Sequence, residues 1–152
     1  MAAARAAGFR VVPVPGPNAA IAALSVCGFG TPHHLFYGFL PARAAARRRE
    51  LSALAPLPYT LVFHEAPHRV EECVSDLCAV LGEARRIVIA RELTKLFESV
   101  HACTLGEAGA WLAGDPDRRK GEFVLIVEGA AGTAGTCGRC CPTRCGDSRA
   151  RS

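Results

Sequence analysis

Apolar residues along this chain gather in short runs, and between the runs they recur at helical spacing. Val11, Val12 and Val14 lie in the first run and predict a strand over residues 9–14, with Pro13 tolerated only at its end or edge. Pro15-Gly16-Pro17 then breaks the chain, and Asn18 is placed to cap a helix over residues 19–25 that Gly28 and Gly30 end. A second strand is predicted over residues 35–39. A helix rich in Ala and Arg follows over residues 42–54, with Pro56 and Pro58 beyond its end. The near-continuous apolar run 59–63 suits a strand covered on both faces. Pro67 opens the next helix, in which Val70, Val74, Leu77, Cys78 and Leu81 recur at helical spacing and which Gly82 closes. Glu71, Glu72 and Asp76 lie toward its N-terminal side, as the helix dipole prefers. A strand over residues 87–90, a polar loop over 91–95 and an edge-type strand over 97–103 come next. Thr104 and Glu107 have capping-box spacing ahead of a short helix through Trp111 and Leu112, and residues 123–127 form a sixth strand.

Strands alternating with helices predict an α/β domain, with a mixed, mostly parallel sheet flanked by helices and an antiparallel edge. In such sheets ligands sit outside the carboxyl ends of the strands, where loops converge. The loops Pro15-Gly16-Pro17-Asn18, His64-Glu65-Ala66-Pro67-His68-Arg69 and Arg91-Glu92-Leu93-Thr94-Lys95 are chemically richer than capped turns require, and they would meet at one rim.

Composition narrows the class. Half of the 152 residues are apolar, which fits a globular chain. No apolar run approaches the roughly 20 residues of a membrane span, so no membrane partner is expected. The opening residues show no secretory signal, which places the protein in the cytoplasm. The net charge of +4 belongs mostly to the last residues: residues 1–129 carry 14 Lys/Arg against 13 Asp/Glu. A nucleic-acid argument therefore rests on local clusters. Arg43, Arg47, Arg48 and Arg49 are the densest, and Arg43 and Arg47, four apart, are predicted to share a helix face that can track phosphates. Arg118, Arg119 and Lys120 form a second cluster.

Metal binding is not expected. In His64-Glu65-x-x-His68, Pro67 interrupts the helix that would have to present both imidazoles. Cys27, Cys73, Cys78 and Cys103 read as small buried apolar residues. Cys137, Cys140, Cys141 and Cys145 crowd a tail whose cramped spacing suits zinc poorly.

The runs FRVVPVPGPNAAIAALSVCG, LFYGFLPARAAARRREL, FHEAPHR, IVIARELTKLFESV and RRKGEFVLIVEG occur in an order and spacing that closely resembles the ribosomal RNA small subunit methyltransferase I family, which has the tetrapyrrole methylase-like (class III) fold. The resemblance covers about residues 8–129. It implies S-adenosylmethionine-dependent methylation of a cytidine ribose 2′-hydroxyl in small-subunit rRNA, by a two-domain enzyme that is a homodimer at full length. It further implies that Gly16, Asn18 and Ala19 of the PGPN turn, Glu65, Leu93, and Glu122 with Phe123 contact the cofactor. The family usually has a small hydroxyl residue at Asn18 and Tyr-Glu-Ser at His64-Glu65-Ala66.

On this resemblance, residues 1–30 are the end of a truncated N-terminal domain and its link, 31–129 the C-terminal α/β domain and 130–152 a disordered, atypical tail. The family's Gly-Thr-Pro-Gly-type loop has no counterpart here, so a fragment inactive alone is expected. A 2′-hydroxyl needs a general base within hydrogen-bond reach, for which Glu65, Glu92, His68 and Lys95 are the candidates. Arg43, Arg47, Arg48, Arg49 and Arg69 are the candidate RNA contacts. A non-catalytic RNA-binding or dimerisation module is the alternative reading.

Overall fold

The computed structural model describes residues 1–131. Five strands form one sheet: β1 (His34–Phe39), β2 (Thr60–Glu65), β3 (Arg86–Arg91), β4 (Ser99–Thr104) and β5 (Phe123–Val127). The helices are α1 (Ala2–Ala6), α2 (Ala19–Val26), α3 (Ala44–Leu54), α4 (Val70–Leu81) and α5 (Leu105–Ala113), with a 3-10 turn at Pro116–Arg119. Alternate side chains of the central strands enter two cores, as strand geometry dictates. Leu61, Phe63, Ile87, Ile89, Leu125 and Val127 pack with Leu51 of α3, Leu77 of α4 and Leu112 of α5. Val62, Val88, Ala90, Val124 and Ile126 pack on the other face under Ala20 and Ala23 of α2.

The local signals that worked have visible causes. Asn18 Oδ1 accepts from the Ala20 N–H at 2.9 Å and starts α2. Glu107 Oε2 accepts from the Thr104 N–H at 2.9 Å, closing the capping box of α5. Gly82 ends α4 at a φ of 94°, a conformation suited to glycine.

Three expectations are corrected. The mixed sheet flanked by helices is present, but it is not mostly parallel. The strand order is β1-β2-β5-β3-β4. Among the described residues only β1–β2 is a parallel pair, while β2–β5, β5–β3 and β3–β4 are antiparallel. β1, β2 and β3 do run the same way, as their alternation with helices implies, but β5 inserts between β2 and β3 in the opposite direction. Second, residues 9–14 form no strand. Phe9, Val12 and Val14 are 70%, 59% and 89% exposed, and the segment pairs with no strand of the sheet. Its apolar content cannot make a strand without a neighbour to pair with, and Pro13, Pro15 and Pro17 each remove a donor. Third, Arg43 lies just before α3 at its N-cap rather than on a helical face shared with Arg47.

The cysteine-rich tail lies outside the described residues beyond 131. No helix among the described residues is long and apolar enough to cross a membrane.

Candidate functional site: a cleft at the carboxyl ends of the strands

β2 and β3 end at the same rim, and β5, running the other way, begins there. A cleft of about 480 Å³ opens at this rim, within the size range of small-molecule sites. Ala19 at the start of α2, Glu65 at the end of β2, Leu93 after β3, and Glu122 with Phe123 at the start of β5 line it. These are five of the seven residues expected to contact a cofactor, brought together from four segments of the chain. Gly16 and Asn18 are not in the lining, and the Asn18 side chain is used as the helix cap. Phe39, His64, Ala66 and Pro67 complete the wall on the β1–β2 side. Sequence reasoning missed Phe39, and placed His64 in a rim loop without naming it as a site residue. The available signal was an aromatic residue at the end of a strand whose neighbouring loop is rich in polar groups.

The cleft wall formed by the loop after β3 is braced. Glu92 and Thr94 hold positive φ of 50° and 64°, which costs free energy for residues with a Cβ and persists only where the surroundings enforce it. The enforcement is visible. Glu92 Oε1 accepts from the Glu122 N–H at 2.8 Å and from Lys95 Nζ at 3.0 Å, and Lys95 Nζ also meets Glu122 Oε2 at 2.9 Å. The Glu122 backbone bond and Lys95 hold the Glu92 carboxyl below the usual carboxylate range. Glu122 and then Glu92 hold the Lys95 amine above its ordinary value. Both groups are thus engaged in shaping the loop that presents Leu93, and a Lys95 amine kept protonated is a poor proton acceptor.

Gly121 makes the brace possible. It has φ +93°, and a Cβ there would collide with the Glu92 side chain. Gly121→Ala should therefore cost about 2 kcal/mol and speed hydrogen exchange in residues 91–95, read by melting and mass spectrometry. Unchanged exchange in that loop would show that Glu92 does not depend on the glycine.

Glu65 is buried on the face of the sheet that α3, α4 and α5 cover, in line with Leu61 and Phe63. Its Oε1 accepts from the Ala66 N–H at 2.9 Å and lies 3.4 Å from Arg69 Nε. Its Oε2 is buried without a hydrogen-bond partner. Arg69 is spent within the fold, donating from Nη2 to the Leu40 carbonyl at 2.8 Å, so it ties the start of α4 to the end of β1 rather than reaching out to RNA. Burial, and secondarily the nearby Glu65 charge, push the Cys73 thiol far above its ordinary pKa, so it remains an inert thiol. His68 is exposed beside the cleft rim, next to Pro67.

The arginine cluster divides. Arg47 is 1% exposed. Its Nε donates to Asp76 Oδ2 at 2.6 Å and its Nη1 to the Ala42 carbonyl at 3.2 Å, so it joins α3 to α4 and cannot contact RNA. Arg48 is exposed but its Nε also donates to Asp76. Burial alone would raise the Asp76 carboxyl, but hydrogen bonds from Arg48 and Arg47 outweigh it and hold the group below the usual carboxylate range. Arg43 and Arg49 are exposed, and Arg49 has only a loose pairing with Glu50 at 3.6 Å. The second basic cluster is engaged with neighbouring side chains, mostly at the surface. Arg118 lies over the Trp111 ring, Arg119 pairs with Glu71 and Lys120 with Asp117.

These features define a class, and the chain belongs to the tetrapyrrole (corrin/porphyrin) methylase family, whose model matches residues 1–109. Its curated relatives include ribosomal RNA small subunit methyltransferase I of Xylella fastidiosa (strain 9a5c), 56% identical over 129 residues, covering 85% of this chain and 47% of the relative. The Escherichia coli O157:H7 protein of the same name is 52% identical over 125 residues, covering 82% of this chain and 44% of the relative. The chain thus spans about half the length of the curated relatives it matches. Among solved structures the fold resembles the methyltransferase CobJ, with a TM-score of 0.61 and 20% identity, covering 86% of this chain and 55% of that one. It also resembles uroporphyrin-III C-methyltransferase from Thermus thermophilus complexed with S-adenosyl homocysteine, with a TM-score of 0.53 and 16% identity over 81% of this chain and 55% of that one.

Proposed function

We propose that this chain is one half of a cytoplasmic S-adenosylmethionine-dependent methyltransferase that modifies a cytidine ribose 2′-hydroxyl in small-subunit rRNA. The observation that carries the reading is the convergence of Ala19, Glu65, Leu93, Glu122 and Phe123 on one cleft. Small and apolar side chains with a few carboxylates fit a nucleoside-bearing sulfonium compound, and the unpartnered buried Oε2 of Glu65 leaves an acceptor beside the lining. The cofactor, when bound, supplies an electrophilic methyl carbon.

The residues of this chain do the positioning, which dominates an in-line displacement. Ala19, Leu93 and Phe123 exclude water from an apolar wall, and the Glu92–Lys95–Glu122 brace fixes where that wall stands. With Glu92 and Lys95 engaged in the brace and the Glu65 side chain wholly buried beside Arg69, the exposed His68 remains as proton acceptor. Both reacting groups must be held about 3 Å apart, and one wall cannot hold both. The remainder of a relative-length chain supplies the opposite wall, and this chain alone is inactive.

RNA reaches the site along Arg43, Arg48 and Arg49. Changing all three to Ala should weaken binding to single-stranded rRNA segments and lower the log–log salt slope by about two. An unchanged slope would return these arginines to a solvated face. Leu93→Asp should abolish cofactor binding without unfolding the chain, because Leu93 is only partly buried. Retained binding in Leu93→Asp would place the cofactor elsewhere.

A further inference from the structure

β1 contains a feature that packing does not require. Its register against β2 shifts between Phe36 and Gly38, so Phe36 pairs with Val62 while Phe39 pairs with His64. In a regular strand, residues three apart point to opposite faces of the sheet. The extra residue of this bulge, with Gly38 at φ +85°, puts Phe36 and Phe39 on the same face as His64. Bulges in parallel pairs are uncommon, and bulges serve to re-aim side chains near active sites.

The re-aimed rings surround the imidazole. The Phe36 ring meets His64 edge-on at 5.3 Å and 77°, and the Phe39 ring lies 5.7 Å away, tilted by 34°. Both phenylalanines nevertheless remain open to solvent, Phe36 at 53% and Phe39 at 64% exposure. Phe39 and His64 also line the cleft, so the aromatic surface is continuous with it.

We propose that Phe36, His64 and Phe39 form a shelf on which an unstacked RNA nucleobase lies at the mouth of the cleft. The inference rests on the reading of the cleft as a methyltransferase site and adds the element that holds the acceptor nucleotide. An A-form helix displays its 2′-hydroxyls in a shallow minor groove, but a ribose that enters a cleft takes its nucleotide out of the stack, and the freed base then gains from an aromatic surface. Exposed aromatic rings supply that surface to single-stranded RNA without demanding a particular base. Three rings beside the cleft would place the ribose of the stacked nucleotide over the cleft opening. Arg43, exposed at the N-cap of α3 four residues beyond Phe39, is placed on the same stretch of chain to meet the adjoining phosphate.

The test uses the whole chain and a single-stranded decaribonucleotide with 2-aminopurine at its centre. A second strand carries an abasic residue at that position. The shelf requires quenching of the aminopurine on binding and weaker binding of the abasic strand. Phe39→Ala should weaken binding of the aminopurine strand roughly fivefold or more, and Phe39→Tyr should restore it. His64→Leu should behave as Phe39→Ala and His64→Tyr as wild type. Both rings are surface-accessible, and matching melting temperatures would separate these effects from unfolding. Equal affinity of Phe39→Ala and wild type overturns the shelf, as does a native chain that binds neither strand. If Phe39→Ala instead loses S-adenosylhomocysteine binding while RNA binding is intact, the rings belong to the cofactor and the proposal fails. If Leu93→Asp leaves S-adenosylhomocysteine binding unchanged but the ring variants lose RNA, the cleft reading fails while the shelf stands.

Discussion

Asp76→Ala is expected to destabilise the chain by about 3–5 kcal/mol, the cost of breaking a buried ion pair by removing one partner. Asp76 is 2% exposed and Arg47 1% exposed, so the substitution would leave a guanidinium buried with only the Ala42 carbonyl and a distant Glu72 oxygen at 3.7 Å. A typical domain has only about 5–15 kcal/mol in total, and a melting temperature lower by roughly 10–15 °C follows. The double change Arg47→Met with Asp76→Leu should recover most of the loss, because an apolar pair of similar volume avoids the desolvation. The pH dependence has a definite sign. The Asp76 carboxyl is depressed in the folded chain. Its contribution is therefore complete above the unfolded value of about 3.9 and is lost as pH falls through the lower folded value. Wild type should lose this increment only below about pH 4, and Asp76→Ala should lack that part of the acid transition. Chemical denaturation at several pH values reads both effects, and a loss under 1 kcal/mol would show that Arg47 finds another partner.

Methyl transfer should appear only when the second wall is present. The purified chain given S-adenosylmethionine and small-subunit rRNA is expected to show no turnover above background. This chain spans about half the length of the Xylella and Escherichia relatives, and supplying the rest of either one should raise the rate by orders of magnitude. Orientation of two reactants alone is worth about 7–11 kcal/mol of barrier, and half a cleft forfeits most of it. A radiolabelled-methyl assay on the mixture and on each part checks this. Turnover by the 152-residue chain alone would show the cleft to be sufficient.

What the sequence revealed and what it concealed have physical reasons. Apolar runs such as 59–63 and 123–127 marked buried strands, because a strand covered on both faces has nowhere to put a polar side chain. The caps at Asn18 and Thr104 were legible because capping is local. Strand direction was not local. Alternation with helices gave β1, β2 and β3 a common direction, but nothing in residues 123–127 announces that they slip between β2 and β3. The strand forecast at 9–14 failed for the same reason, since pairing needs a partner that periodicity cannot supply. Arg47 looked like its neighbours Arg48 and Arg49, and only the approach of Asp76 from α4 separates a core residue from a surface one. Most of the cleft was legible through the family resemblance. Phe39 was not, because the bulge that turns it toward His64 depends on the register against β2.

The central claim is that the cleft at the carboxyl ends of β2 and β3 is a cofactor wall. Titrating the isotope-labelled chain with S-adenosylhomocysteine and following each backbone amide tests it most directly. Even weak binding should shift the amides of Ala19, Ala66, Leu93 and Phe123 together, with a common saturation, and leave Gly82 and Arg85 at the opposite end of the sheet unmoved. Shifts confined to that opposite end, or none at millimolar ligand, would contradict the claim.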